Sequence, residues 1–157
     1  MSYYDIIGFV KGYTETPITT EQLRLLSEFR DRLRMFLQFS EAAAHRSGLQ
    51  PQQHQLLLQI AGAPDSSVAT VGYVAERLGL RHNTVVELSN RCEEAGLITR
   101  RQDEMDRRCV HLEVTRKGRK ILDALSMDHA RELNELAPQL IQTLGALSGA
   151  WNGASKG

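Results

Sequence analysis

Residues 70–98 read TVGYVAERLGLRHNTVVELSNRCEEAGLI. Val71, Val74, Ala75 and Leu78 recur at i, i+3, i+4 and i+7, which gives a short helix one buried side. Thr70 is placed to cap that helix and Gly79 to end it. A second helix is predicted from about His82 to Ala95, with Val85, Leu88, Cys92 and Ala95 facing inward. Asn83, Val86, Glu87 and Asn90 fall on its opposite side, and Gly96 stands where a helix C-terminus expects glycine. Two helices joined by a tight Gly79 turn make a helix-turn-helix. Such a motif holds its second helix proud of the body, in a shape that fits a DNA major groove about 12 Å wide.

Working outward, Leu97–Arg101 and Val110–Val114 are short strand candidates, with Leu112 and Val114 on one face by period-two alternation. The polar stretch Gln102–Arg108 between them reads as the tip of a hairpin, a wing. After Thr115 a helix is predicted from near Lys117 to about Leu136, broken at Ala137–Pro138, with Pro138 opening a last helix. Leu133, Leu136, Leu140, Leu144, Leu147 and Trp151 repeat there at intervals of three or four. Upstream, Pro51 begins a helix carrying Leu56, Leu57, Leu58 and Ile60, which ends before Gly62 and Pro64. Before it, Thr20 opens a long helix that Gly48 ends, with Leu23, Leu26, Phe29, Leu33, Phe36, Phe39 or Ser40, and Ala43 along one stripe. Tyr3, Tyr4, Phe9 and Tyr13 mark residues 1–18 as an extension that packs onto something, such as a partner subunit.

The fold class expected is mainly α with a small β-hairpin wing, a winged helix-turn-helix flanked by dimerisation helices. The stripes at 23–43 and 133–151 exceed what the lobe between them can cover, and two such ends wrapped around a twin would bury them. The chain then divides into helical dimerisation segments at 19–48 and 118–153 and a DNA-binding lobe at 51–117, within one domain of 157 residues.

Composition narrows the function classes. With 41% hydrophobic and 24% charged residues the chain can build a core and remain soluble. The formal net charge is zero, but residues 71–120 carry +3 between segments at −1 and −2, so the basic excess sits on the helix-turn-helix and wing. No apolar run approaches the roughly 18 residues of a membrane span. Met1–Val10 carries Asp5 and no basic residue, unlike a signal peptide, so a cytoplasmic location is expected. Cys92 and Cys109 make no disulfide framework and read as buried reduced thiols. There is no Gly-rich phosphate loop, no Ser-His-Asp order and no paired-acid motif, so no enzyme and no cofactor are expected. Cys92, Cys109, His82 and His111 could hold zinc only by long-range convergence, because no CxxC or HxxxH spacing exists, so no metal is expected either.

The sequence resembles the MarR family of bacterial regulators. The resemblance is carried by residues 70–80, Thr84-Val85, Arg91, residues 93–98, Asp106-Arg107-Arg108 at the wing, then Leu112, Thr115, Lys117 and Gly118. It is strongest from about 51 to 122 and implies a dimer whose first and last helices interlock above two DNA-binding lobes. It also implies that Arg108 enters the minor groove while Asp106 keeps the wing in shape. Physically, a narrow minor groove concentrates negative potential and attracts an inserted guanidinium.

His82, Asn83, Thr84, Val86, Glu87 and Asn90 are the candidates to reach the major groove, where Asn pairs with adenine and Glu accepts from cytosine N4. Arg91 is a candidate for phosphate or for bracing the wing, and Arg107 and Arg108 for wing contact. Arg81 stands where the family often has a Ser or Thr cap, so Asn83 or Thr84 is expected to cap instead. A small aromatic or phenolic ligand is implied by the resemblance, with Phe36, Phe39, His45 and His54 as candidate lining residues. The function expected is that of a homodimeric regulator of transcription on a pseudo-palindromic duplex operator, a repressor released by the ligand. Two other readings stand beside it: a winged-helix protein-interaction module, and a redox- or metal-responsive regulator using Cys92 or Cys109.

Overall fold

The computed structural model describes residues 18–153. The aromatic extension expected at 1–18 lies almost wholly outside them, as do Trp151's side-chain contacts. Five helices and one hairpin follow in the order α1 (Thr20–Arg46), α2 (Pro51–Ala61), α3 (Val71–Leu78), α4 (His82–Glu94), β1 (Ile98–Gln102), β2 (Val110–Val114) and α5 (Arg116–Gly153). This is the mainly helical winged-helix class that the spacing predicted.

The caps show why the helices start where they do. α1 is capped by Thr19 rather than Thr20. The Thr19 hydroxyl accepts from Gln22 N (3.2 Å), while Gln22 Oε1 accepts from Thr19 N (2.8 Å), a reciprocal capping box. Pro51 occupies the first turn of α2, and Gln53 Oε1 accepts from Gln50 N at 2.9 Å. Thr70 caps α3 by accepting from Tyr73 N at 3.1 Å. Gly79 ends α3 with φ +63°, a left-handed conformation that a side chain would make costly. The cap expected on α4 is absent: the helix starts at His82, with Arg81 in the cap position giving no side-chain bond. Neither Asn83 nor Thr84 shifts its start.

Leu37–Glu132 forms one compact unit, and the described residues 18–36 together with 133–153 form another. The first unit holds the core: Ala43, Ala44, Leu49, Leu56, Leu57, Val71, Val74, Val85, Leu88, Cys92, Ile98, Leu112, Leu122 and Leu125 are buried in one cluster. The end of α1 and the first turns of α5 thus belong to the lobe's core, on either side of the 51–117 bounds that motif spacing suggested.

The hairpin is antiparallel, with Ile98 opposite Val114, Arg100 opposite Leu112 and Arg101 opposite His111. β1 runs one residue later than expected. β2 is also sewn to the lobe: Leu112 N donates to Ala69 O at 2.7 Å and Thr70 bridges His111. At the far end Thr115 starts α5, its hydroxyl donating to Gly96 O (2.7 Å) and accepting from Gly118 N (3.1 Å). A Cβ on Gly118 would meet Leu97 O at 2.2 Å, and neither backbone segment is free to move away. Gly118→Ala is therefore expected to destabilise the lobe by about 3 kcal/mol, the upper end for forcing a carbon into packed space. Urea unfolding measures it, and a midpoint equal to wild type would contradict the packing described.

α5 corrects one expectation. It runs unbroken from Arg116 to Gly153 with Pro138 inside it, so there is no restart at Pro138. Proline removes one backbone bond and crowds the preceding turn, which can bend a helix without ending it. In the second unit α1 and α5 are tied by Gln22 Nε2 donating to Ala150 O at 3.0 Å and by an Arg32–Gln139 side-chain bond. Leu23, Leu33, Met35, Leu133, Ile141 and Leu144 nevertheless stand exposed there. No helix among the described residues is long and apolar enough to cross a membrane.

Candidate nucleic-acid interface

α4 buries Val85, Leu88, Ser89 and Cys92 and turns its other side outward. His82, Asn83, Glu87 and Arg91 are exposed, and Thr84 is half-buried. Two sequence candidates sit differently. Val86 is half-buried and packs on the core. Asn90 is half-buried, and its side-chain oxygen accepts from the Arg100 guanidinium of β1. Arg100 N also donates to Glu93 Oε1 at 3.1 Å. The brace between α4 and the wing is thus Asn90–Arg100–Glu93, not Arg91. Sequence reading missed Arg100 because a strand arginine at the root of a wing looks like solvated surface. The cue was its place opposite Leu112, on the hairpin face that turns inward.

The wing tip presents Arg107 and Arg108, both exposed, with the Arg108 side chain 94% accessible. Asp106 Oδ1 accepts from Arg108 N at 3.0 Å and from its Nε at 3.4 Å, and Gln102 Nε2 donates to Arg107 O at 2.6 Å. Behind them Asp103 accepts from two tip amides and pairs with His111 at 2.9 Å. The Asp106 amide, the His111 ring and the Met105 amide hold its carboxyl down to about 2. A groove of about 220 Å³ runs between the wing and the helix-turn-helix, lined by Thr70, Gly72 and His82 on one side and Asp106 and Arg108 on the other. It brings the first residue of α4 and the wing arginine to one surface.

Residues 47–108 match the sequence profile of the MarR family. Members of that family are transcription regulators, not enzymes. Three solved structures carry the same fold at low identity. AbsC, a MarR family transcriptional regulator from Streptomyces coelicolor, is 18% identical with TM-score 0.68 over 91% of this chain and 97% of its own. MepR from S. aureus, solved as a DNA complex, is 21% identical with TM-score 0.63 over 87% and 99%. CouR from Rhodococcus jostii RHA1, solved with p-coumaroyl-CoA, is 23% identical with TM-score 0.55 over 72% and 83%. No curated protein sequence matches the chain.

Of the candidate ligand-lining residues, His45 is exposed. Phe39 and His54 meet through a residue that sequence reading passed over, His129. Its ring lies 5.7 Å from Phe39 and 5.0 Å from His54, and its Nε2 is 2.7 Å from Ser40 Oγ. No sequence signal linked it to His54, because the two are far apart in the chain and only the packing of α5 on the lobe joins them.

His54 is 5% exposed, and burial, aided by the His129 ring, holds its pKa below the ordinary 6.5. The unfolded chain therefore takes up this proton at a higher pH than the folded one. The stability involved is fully present above about pH 6.5 and is lost as pH falls below it, by no more than about 1.4 kcal/mol per pH unit. Urea midpoints should fall between pH 7 and 5, and fall less for His54→Leu. Equal slopes for the two proteins would contradict this.

Cys92 is fully buried, and burial pushes its thiol up to about 11 against the opposing effects of Arg91 and Gln53, so it is inert. Cys109 is only half-buried, unlike the sequence expectation. Among the described residues no cluster of His, Cys, Asp or Glu is placed to hold a metal ion.

Proposed function

We propose that the protein acts as a homodimer on a pseudo-palindromic duplex operator, as a cytoplasmic repressor released by a small aromatic or phenolic ligand. The observation that carries the DNA reading is the groove shared by the exposed start of α4 and the wing arginine. In this reading His82, Asn83, Thr84 and Glu87 approach base edges in the major groove, and Arg91 approaches phosphate. Arg108, supported by Arg107, enters the adjoining minor groove. Asn90 and Val86, engaged with the wing root and the core, hold the reading helix rather than read bases.

The exposed apolar side chains of α1 and α5 support the dimer, in which segments 19–48 and 118–153 pack against a twin while 51–117 binds DNA. The DNA in the MepR structure and the p-coumaroyl-CoA in the CouR structure belong to those proteins and support this reading by likeness of fold.

Hydroxyl-radical footprinting on fragments selected from random duplexes tests the proposal. Two protected half-sites about one helical turn apart, roughly 10 bp, are expected. One asymmetric site occupied by a single chain would refute it.

A further inference from the structure

The hairpin tip closes on one carboxylate. Asp103, the first residue after β1, accepts from Met105 N (2.8 Å) and Asp106 N (3.0 Å) through Oδ1, while its Oδ2 lies 2.9 Å from His111 Nε2. His111 sits on β2 with its side chain only 14% exposed. Its backbone is bridged to Thr70, the residue that caps α3, and the next residue, Leu112, bonds Ala69. The ring's Nδ1 is enclosed and meets no partner among the described residues, so the proton that the ring donates belongs on Nε2, toward Asp103.

These contacts form a continuous line. It runs from the capped start of the helix-turn-helix through His111 and Asp103 to the Met105 and Asp106 amides. Asp106 in turn accepts from Arg108 N and Nε. The links past Asp103 end on tip amides or on Arg108 itself.

We propose that His111 is a positioning residue for the DNA-contacting wing: through Asp103 it fixes the turn that presents Arg108, at a set distance from the start of α4. The proposal rests on the DNA reading above. A tip of seven residues, 103–109, would otherwise have to be ordered when DNA binds, and that loss of freedom weakens binding. Tying the tip to Thr70 orders it beforehand and couples its position to the reading helix. A solvated hairpin needs neither an enclosed imidazole nor a carboxylate aimed back at its own root.

A double-mutant cycle with two readouts tests it. His111→Ala, His111→Gln, Asp103→Ala and Arg108→Ala are compared singly, and the His111 and Asp103 variants are repeated in the Arg108→Ala background. Operator affinity is read at fixed salt. His111→Ala and Asp103→Ala should each weaken binding about tenfold, the double variant no further than either alone, and both effects should shrink below about threefold once Arg108 is gone. His111→Gln, which keeps an N–H donor, should recover part of the loss.

Amide hydrogen exchange on the free protein is the second readout. The Met105 and Asp106 amides should exchange about tenfold faster in His111→Ala than in wild type, with core amides unchanged. Unchanged exchange at both amides overturns the latch whether or not DNA is bound. A tenfold affinity loss that persists in the Arg108→Ala background also overturns it, since His111 would then act on the fold at large. If the exchange change appears but wild type binds no duplex, the latch stands as a structural device and the DNA reading is what fails.

Discussion

Arg108→Ala is expected to weaken operator binding by at least about thirtyfold while leaving the fold intact. A groove contact by one arginine is worth about 1–3 kcal/mol, and a dimer on a two-fold site carries two copies. The side chain is 94% accessible, so its removal takes away almost no packing and the melting temperature should hold. Asp106 keeps its backbone bond to residue 108 in the variant, so the turn should survive. The salt dependence should become shallower by about two units of slope, one for each lost cation. Preference at flanking A·T positions should relax more than preference beneath α4, because a minor-groove arginine reads groove width. Titrations at several salt concentrations, with matched circular dichroism spectra, measure all three. Wild-type affinity for operator at every salt would remove the wing from the account and leave the reading helix alone.

Ile141→Glu with Leu144→Glu is expected to convert the proposed dimer into a monomer. Ile141 is 70% exposed and Leu144 49% exposed in the single chain, so charge at either position costs that chain little. In a two-fold interface the same substitutions bury four carboxylates per dimer against apolar surface. Even about 1.4 kcal/mol for each would raise the dissociation constant about ten-thousandfold in total. Light scattering at micromolar concentration should give the mass of two chains for wild type and of one for the variant, with the lobe's urea midpoint preserved. A wild-type monomer, or a variant still dimeric, would contradict the proposed role of α1 and α5. Operator affinity should collapse along with the dimer, because one lobe holds only one half-site.

How far the fold was legible follows from where its information lies. The helix-turn-helix, the wing and the burial of Val71, Val74, Val85, Leu88 and Leu112 were readable because each rests on local periodicity or on a residue with one conformational use, such as Gly79. Thr70 was readable as a cap for the same reason. Pro138 misled because proline's missing donor is a local fact, whereas continuation of α5 depends on the helix on either side of it. Arg81 misled in the opposite way: the helix starts on time without a capping side chain.

At the candidate site, the exposure of His82, Asn83, Glu87, Arg107 and Arg108 followed from the helical face and the hairpin tip. The engagement of Asn90 by Arg100 did not, since it needs the register of a strand that sequence placed one residue early. Asp103 and His111 were invisible as a pair because hairpin geometry alone brings them within 2.9 Å. His129 beside His54 is the same case at longer range.

One titration decides the proposal that this lobe binds duplex DNA. Purified protein is titrated against a duplex selected by the protein from random sequence and against an unrelated duplex of equal length, across about 50 to 300 mM salt. Log affinity is expected to fall linearly with log salt on both, with the selected duplex bound at least about a thousandfold more tightly near physiological salt. Absence of binding to either duplex at the lowest salt, by a protein shown to be folded, would contradict it.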